Sequence, residues 1–386
     1  MNHQLSKRVK ERFQKRFGEE PLLVRSPGRV NVIGEHTDYN NGFVLPAAID
    51  KAIYIGISRR EDNEIVLYSE EFNQVHRSTV PGVAITDKQW PNYILGVVDQ
   101  LNKRGYTISG FNLNIDGDVP VGAGLSSSAA VECATAFALN ELYDLGIDKM
   151  ELALIGQKAE HTFAGVMCGI MDQFASVFGK EGHVIRLDCQ SLDYTYVPLT
   201  LEGYKILLLN TNVKHSLASS EYNTRRQECA EGVRLLQEGG EAVQSLRDAN
   251  LSMITKHLKD KNEVVYRRCK FIVEENQRLL TACEALEAGD LKTLGLNMYG
   301  SHDGLQHEYE VSCKELDFLV DAVRDNNAVV GARMTGGGFG GCTINIIKEE
   351  AIDTLVADLS KRYKEAMGLN LTAYIAQPAD GSSHAE

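Results

Sequence analysis

Residues 25–42 read RSPGRVNVIGEHTDYNNG, which puts two carboxylates (Glu35, Asp38), an imidazole (His36) and a guanidinium (Arg29) into one turn-rich segment. Glu35 and Asp38 can accept hydrogen bonds from vicinal hydroxyls, the chemistry of sugar recognition. Arg29 can pair with a carboxylate or with a transferring phosphoryl group. A solvated loop is the plain alternative for this segment. A metal centre fits it less well, because no second His or Cys stands at ligand spacing. In CGIMDQF (residues 168–174), Asp172 is a single acid in an otherwise apolar stretch, readable as a helix cap or as a catalytic base. Glu160 alone reads as a surface acid, and SSEYNTRR (residues 219–226), which contains Tyr222, proves nothing by itself.

Two glycine-rich stretches offer a different chemistry. PVGAGLSSSAA (residues 120–130) follows a strand pattern and opens a helix pattern. Its small residues let backbone approach a ligand, and the first helical turn favours an anion. The three hydroxyls of Ser126, Ser127 and Ser128 add donors, one of which could also meet a metal. An ordinary serine-capped helix start is the alternative. A Walker loop is excluded because the stretch has no lysine, and a dinucleotide fingerprint because its acids, Glu141 and Asp144, fall late in the helix. The second stretch, GARMTGGGFGGC (residues 331–342), has five glycines within residues 336–341. So many are costly to order, so close passage of a ligand or of the other loop is the expected reason.

Alternating and helical patterns must position these groups. Ile53, Ile55 and Ile57, then a polar turn, then Ile65 and Leu67 predict a β-hairpin. Phe111, Leu113 and Ile115 predict a further strand. Residues 126–146 predict a helix capped at Gly146, and residues 151–165 a second ending on Gly165. HVIRLDCQ and DYTYVPL predict paired strands, residues 216–325 a helical region, and residues 342–347 a strand. Leu5, Val9, Phe13 and Phe17 recur every four residues, which predicts an amphipathic N-terminal helix packed on the body. The polar tail QPADGSSHAE is expected to fray.

The 386 residues suggest two domains, possibly three, at roughly 150 each. A boundary near Tyr204 is expected, with no flexible linker. Hydrophobic residues at 43% and charged residues at 24% exclude a disordered or fibrous chain. Forty Lys and Arg against 53 Asp and Glu leave a net charge of −13, which argues against nucleic-acid and anionic-membrane partners but not against a small phosphorylated ligand. Eight scattered cysteines without a CxxC pair predict reduced thiols. No run is long and apolar enough to span a bilayer, and the first twenty residues lack the apolar core of a secretion signal. A transit peptide fits less well, because Glu11, Glu19 and Glu20 are acidic. A soluble cytoplasmic protein is expected.

Taken together, GRVNVIGEHTDYNNG, PVGAGLSSSAA, CGIMDQF, SSEYNTRR and GARMTGGGFGGC resemble the galactokinases, a branch of the GHMP small-molecule kinases, in order and over nearly the whole chain. GLSSSA marks only the wider class, whereas GEHTDY is much more specific. The resemblance implies an α/β (α+β) fold of two domains, here residues 1–204 and 205–386, with the active site in the cleft between them. It implies ATP and Mg2+ as cofactors and α-D-galactose phosphorylated at its anomeric hydroxyl, by a chain expected to be monomeric. By motif match, Arg29 and Asp172 are the catalytic pair, with Glu35, His36, Thr37, Asp38, Gly169 and Tyr222 around the sugar. Gly122, Ala123, Gly124, Leu125, Ser126, Ser127 and Ser128 then wrap the nucleotide phosphates, and Ser128 and Glu160 hold Mg2+. Trp90 resembles a residue near the adenine pocket, with a core tryptophan as the alternative. An N-acetylgalactosamine kinase and a non-catalytic galactose sensor are the rival readings. Such sensors lack a Ser-Ala pair in the phosphate loop, and Ser128-Ala129 are present here.

Overall fold

In a computed structural model, which describes residues 2–213 and 218–386, the first part of the chain runs α1 (His3–Phe17), β1 (Leu22–Asn31), β2 (Phe43–Val44), β3 (Pro46–Arg59), β4 (Glu64–Ser69), β5 (Gln74–Thr79), α2 (Gln89–Lys103), β6 (Phe111–Gly117), α3 (Ser127–Tyr143), α4 (Lys149–Ala159), α5 (Met171–Phe178), β7 (His183–Asp188) and β8 (Tyr194–Pro198). It continues with β9 (Tyr204–Asn210), α6 (Ala218–Glu238), α7 (Leu251–Leu258), α8 (Glu263–Glu287), α9 (Leu291–His307), α10 (Lys314–Arg324), β10 (Val329–Met334), β11 (Cys342–Lys348), α11 (Ile352–Met367), β12 (Thr372–Ala376) and β13 (Ser383–His384).

Among the described residues three sheets result: a six-stranded one in the order β13-β1-β3-β6-β4-β5, a four-stranded one in the order β10-β11-β9-β12, and a three-stranded one in the order β2-β7-β8. Period-two alternation divides β3 between two layers. Ile53, Ile55 and Ile57 join the core under α2, α3 and α4, while Ala52 and Tyr54 meet Leu5 and Val9 of α1 on the other face. In the four-stranded sheet, Leu207 and Leu209 face α10 and α11, whereas Ile206 and Leu208 belong to the core shared with α8 and with the first sheet. One apolar core therefore runs between the two larger sheets. No helix among the described residues is long and apolar enough to cross a membrane.

Three expectations need correction. The hairpin from Ile53 to Leu67 does not form: β6 lies between β3 and β4, pairing antiparallel with one and parallel with the other. The polar turn wraps the start of β6 instead, where the Gly110 amide donates to Asp62 O at 2.7 Å and the Arg60 amide to Gly110 O at 2.8 Å. Alternation identifies strand faces but not the neighbouring strand. The helix after the first glycine stretch stops at Asp144, itself left-handed (φ 52°), before Gly146 is reached. The tail does not fray: β13 pairs with β1, and Ser382 Oγ meets Ser26 Oγ at 2.7 Å in a buried hydroxyl cluster. A hydroxyl looks polar in sequence whether its partner is water or another buried hydroxyl.

The element that positions the site is β1. Its pairing with β3 shifts register between Pro27 and Arg29, and there the Arg29 amide donates to Leu125 O at 3.1 Å instead of to a strand. Gly28 permits this approach, because a Cβ would lie 2.7 Å from Leu125 O and 3.0 Å from Val119. Gly28→Ala should therefore lower stability by about 1–3 kcal/mol and displace Arg29. Thermal melts and kcat measured together should both fall; an unchanged melting temperature contradicts this packing.

Candidate active site

Arg29 lies two residues before the end of β1 with its guanidinium almost fully buried, and Asp172 stands in the first turn of α5. Nε and Nη2 of Arg29 donate to the two Asp172 oxygens at 2.6 and 2.8 Å, a bidentate pair. The third arm, Nη1, donates to Gly124 O at 2.7 Å, and Ser126 Oγ donates to Asp172 Oδ2. The α5 N-cap is Ile170, with no side-chain cap bond, so Asp172 is not the helix cap that its sequence position also allowed. Burial alone would lower the Arg29 pKa, but Asp172, Glu35 and Asp38 together raise it and keep the group cationic.

The polar segment folds into a loop over residues 34–42 with left-handed Gly34, His36 and Asn41. Glu35 is buried, and its Oε1 accepts from the Gly336 amide at 2.7 Å, Thr335 Oγ1 at 3.1 Å and Arg333 Nη1 at 3.4 Å. His36 Nδ1 meets Tyr39 OH at 2.7 Å, and the rings of Tyr222 and Tyr309 lie 5.3 and 5.0 Å from the imidazole. Burial pushes His36 down to about 3, so the ring is neutral at pH 7. Thr37 is fully buried and spans the loop itself, donating to Gly34 O and Phe43 O; it closes the loop and does not line the cleft. Gly169 packs on Asp38 so closely that a Cβ would overlap the carboxylate at 2.0 Å.

The glycine-stretch residues Gly122, Ala123, Gly124 and Leu125 lead into α3, whose N-cap Ser126 is left-handed and makes no side-chain cap bond. Its hydroxyl is turned to Asp172, and Ser127 follows as the first helical residue. Ser128 Oγ donates to Glu160 Oε1 at 2.9 Å. Behind this pair, Gln173 Nε2 donates to Glu160 Oε2 at 2.7 Å and to Glu132 Oε2 at 2.9 Å. Burial raises the pKa of Glu160, and the Asp172 charge raises it further. No group of three or more His, Cys, Asp or Glu converges among the described residues. A divalent cation here would draw on Ser128 and Glu160 together with phosphate and water oxygens, a donor set that suits Mg2+.

The second glycine stretch passes directly over the first. Hypothetical Cβ atoms on Gly336 and Gly341 would lie 3.1 Å from Gly124 O and 3.2 Å from Ala123 O, both from left-handed backbone. Close passage of the other loop is thus one reason for the glycines. Between the loops lies a cleft of about 980 Å3, lined by Arg29, Glu35, His36, Asp38, Glu160, Asp172 and Tyr222 among others. Trp90 is not in its lining: the ring packs partly buried on the core, and Nε1 donates to Gln74 Oε1 at 3.1 Å. Gln89, its neighbour, does line the cleft. Sequence reasoning missed Arg333, Gln173 and Glu132, although Glu132 stands one helical turn after Ser128 and so shares its face.

Burial pushes Asp38 up to about 7 from its ordinary 3.8, with the charges of Asp172 and Glu35 adding to the effect. The folded state therefore holds a proton that the unfolded chain has released, and this contribution to stability is lost as pH rises from about 4 through 7. Asp38→Asn should flatten that part of the curve: its melting temperature should gain on the parent progressively up to pH 7 and level off above. A constant difference across the window contradicts the assignment.

Three family models match the chain: the galactokinase galactose-binding signature over residues 11–59, the GHMP kinase N-terminal domain over 92–180 and the GHMP kinase C-terminal domain over 282–365. A galactokinase of Thermotoga neapolitana is 44% identical over 362 residues, 93% of this chain and 99% of its own length. The crystal structure of Lactococcus lactis galactokinase complexed with galactose superimposes with a TM-score of 0.95 at 36% identity, covering 99% of this chain and 100% of that one. Methanococcus jannaschii mevalonate kinase shares the fold at a TM-score of 0.66 and 20% identity, over 94% of this chain and 99% of its own. The signature covers the loop that carries Glu35 and Asp38, the N-terminal model covers residues 122–128 and Asp172, and the chain belongs to the galactokinase family of GHMP kinases.

Proposed function

We propose that this kinase transfers the γ-phosphoryl group of ATP to the anomeric hydroxyl of α-D-galactose, giving galactose 1-phosphate and ADP. The observation that carries the reading is the bidentate Arg29–Asp172 pair, set between the polar loop and the start of α3. The loop groups Glu35, His36 and Asp38, with Gly169 and Tyr222 beside them, line or border a pocket suited to a polyhydroxylated ligand. The backbone of residues 122–128 suits the phosphates, since an open helix start favours anions.

Asp172 takes the proton of the attacking hydroxyl while a new O–P bond forms and the bond to the β-phosphate oxygen breaks. Arg29 orients that carboxylate and adds positive charge beside the transferring group, where positioning and neutralisation supply most of the catalysis. Ser128 and Glu160 would hold Mg2+, and bound Mg2+ neutralises phosphate charge. Gln173 fixes the Glu160 carboxylate from behind. The same reading takes residues 1–204 and 205–386 as two domains of a monomeric, cytoplasmic enzyme.

Galactose and glucose differ only at C4, so a site that hydrogen-bonds the axial hydroxyl leaves buried groups unpaired with glucose. The kcat/KM for galactose should exceed that for glucose by well over about 100-fold in a coupled ADP-release assay. Comparable values contradict the substrate assignment. Asp172→Asn keeps the shape but removes the proton acceptor, so kcat should drop about 10²–10⁴-fold with a smaller change in galactose affinity. An unchanged kcat removes Asp172 from the mechanism.

A further inference from the structure

The loop of residues 34–42 satisfies part of its own backbone, the Asn40 and Gly42 amides donating to Thr37 O and the Asn41 amide to Asp38 O, but not the Gly34 amide. Its residues belong to no strand, and the amide of the left-handed Gly34 has no backbone acceptor among the described residues. A buried amide of this kind needs an acceptor. It finds one 241 positions away, in Glu275 of α8, whose Oε1 accepts from the Gly34 amide at 2.9 Å. Glu275 is fully buried, and its orientation is fixed on both oxygens. Ser301 Oγ of α9 donates to Oε1 at 2.6 Å, and Arg278 Nε donates to Oε2 at 2.8 Å. The adjacent Asn276 holds the other end of the loop, its Oδ1 accepting from the Phe43 amide at 2.8 Å. One helical turn beyond Glu275, Leu279 fills the space a side chain on Gly34 would need, 2.5 Å from a hypothetical Cβ. The peptide that leads into Glu35 is therefore gripped from α8, while Glu35 itself is gripped from the Gly336 side.

We propose that Glu275 is a positioning residue for sugar recognition: by accepting the Gly34 amide it holds the 34–42 loop in the shape that presents Glu35, His36 and Asp38 to galactose. The proposal rests on the reading of this loop as the galactose site. Glu275 itself makes no described hydrogen bond to residues 122–128 or 336–341, and the 34–42 loop meets that side only through Glu35 and Gly336, so the effect falls first on the sugar side of the cleft.

The test is a comparison of Glu275→Met and Glu275→Gln with the parent. Methionine removes both acceptors at similar volume, and the galactose KM should rise about 10–100-fold, as expected for a buried amide left without a partner. The ATP KM and kcat should stay within about threefold. Glutamine keeps one acceptor for Gly34 and should recover most of the galactose affinity. Amide hydrogen exchange should quicken in residues 34–43 of the methionine variant and stay unchanged in β1. If the methionine variant does not fold, Ser301→Ala carries the test on a smaller scale, with about a two- to tenfold rise in galactose KM alone. A lower melting temperature with both KM values unchanged, or equal rises in both, overturns the proposal. If the parent chain does not phosphorylate galactose, the substrate reading falls, and the exchange of residues 34–43 still decides whether Glu275 holds the loop.

Discussion

A buried guanidinium with a carboxylate on two of its arms governs how the rest of this molecule is built. Removing one partner of such a pair leaves an unpaired buried charge, typically a loss of about 3–5 kcal/mol. Arg29 and Asp172 must therefore arrive together, from β1 and α5, 143 residues apart in sequence. The β1 register shift, the missing side chain at Gly28 and the contact of Arg29 with Gly124 O all serve that arrival. Because Ser126 also binds Asp172, the same carboxylate ties the start of α3 to the pair. Chemistry and architecture meet in a single interaction.

Charge explains the next layer. Glu35, Asp38, Glu132, Glu160 and Asp172 crowd around the cleft and its floor, while the buried cations nearby include Arg29, Arg225 and Arg333. Burial and mutual repulsion raise the pKa of Asp38, Glu132 and Glu160, which marks a site short of positive charge before its ligands arrive. Phosphates bound without a cation would deepen that deficit, so a nucleotide entering with a divalent ion suits the cleft electrostatically. Arg333 shows how a buried cation can be held by backbone as well: Nη1 donates to Asn31 O at 2.9 Å as well as facing Glu35.

Much of the site was legible because its chemistry is local. GEHTDYNNG carries its acids within one turn-rich segment, and the glycines of both loops advertise close backbone approach through their cost to order. The amphipathic spacing of Leu5, Val9 and Phe13 likewise gave α1 directly, since all three are buried. What stayed hidden depends on contacts distant in sequence. Strand alternation at residues 53–67 could not reveal that β6 inserts between β3 and β4. Glu275, Gln173 and Arg333 look like ordinary helix or strand residues until folding brings them beneath the loops. The hydroxyls of the tail read as solvated because nothing in their spacing shows the buried partner Ser26.

If Arg29 acts chiefly by holding Asp172, the two residues form one functional unit. A double-mutant cycle on kcat, with Arg29→Ala, Asp172→Ala and the combined variant, measures this directly. The combined variant should be little worse than the more damaged single one, leaving a coupling of at least about 2 kcal/mol. Losses that simply add, with coupling near zero, would show the two residues working independently and contradict the account.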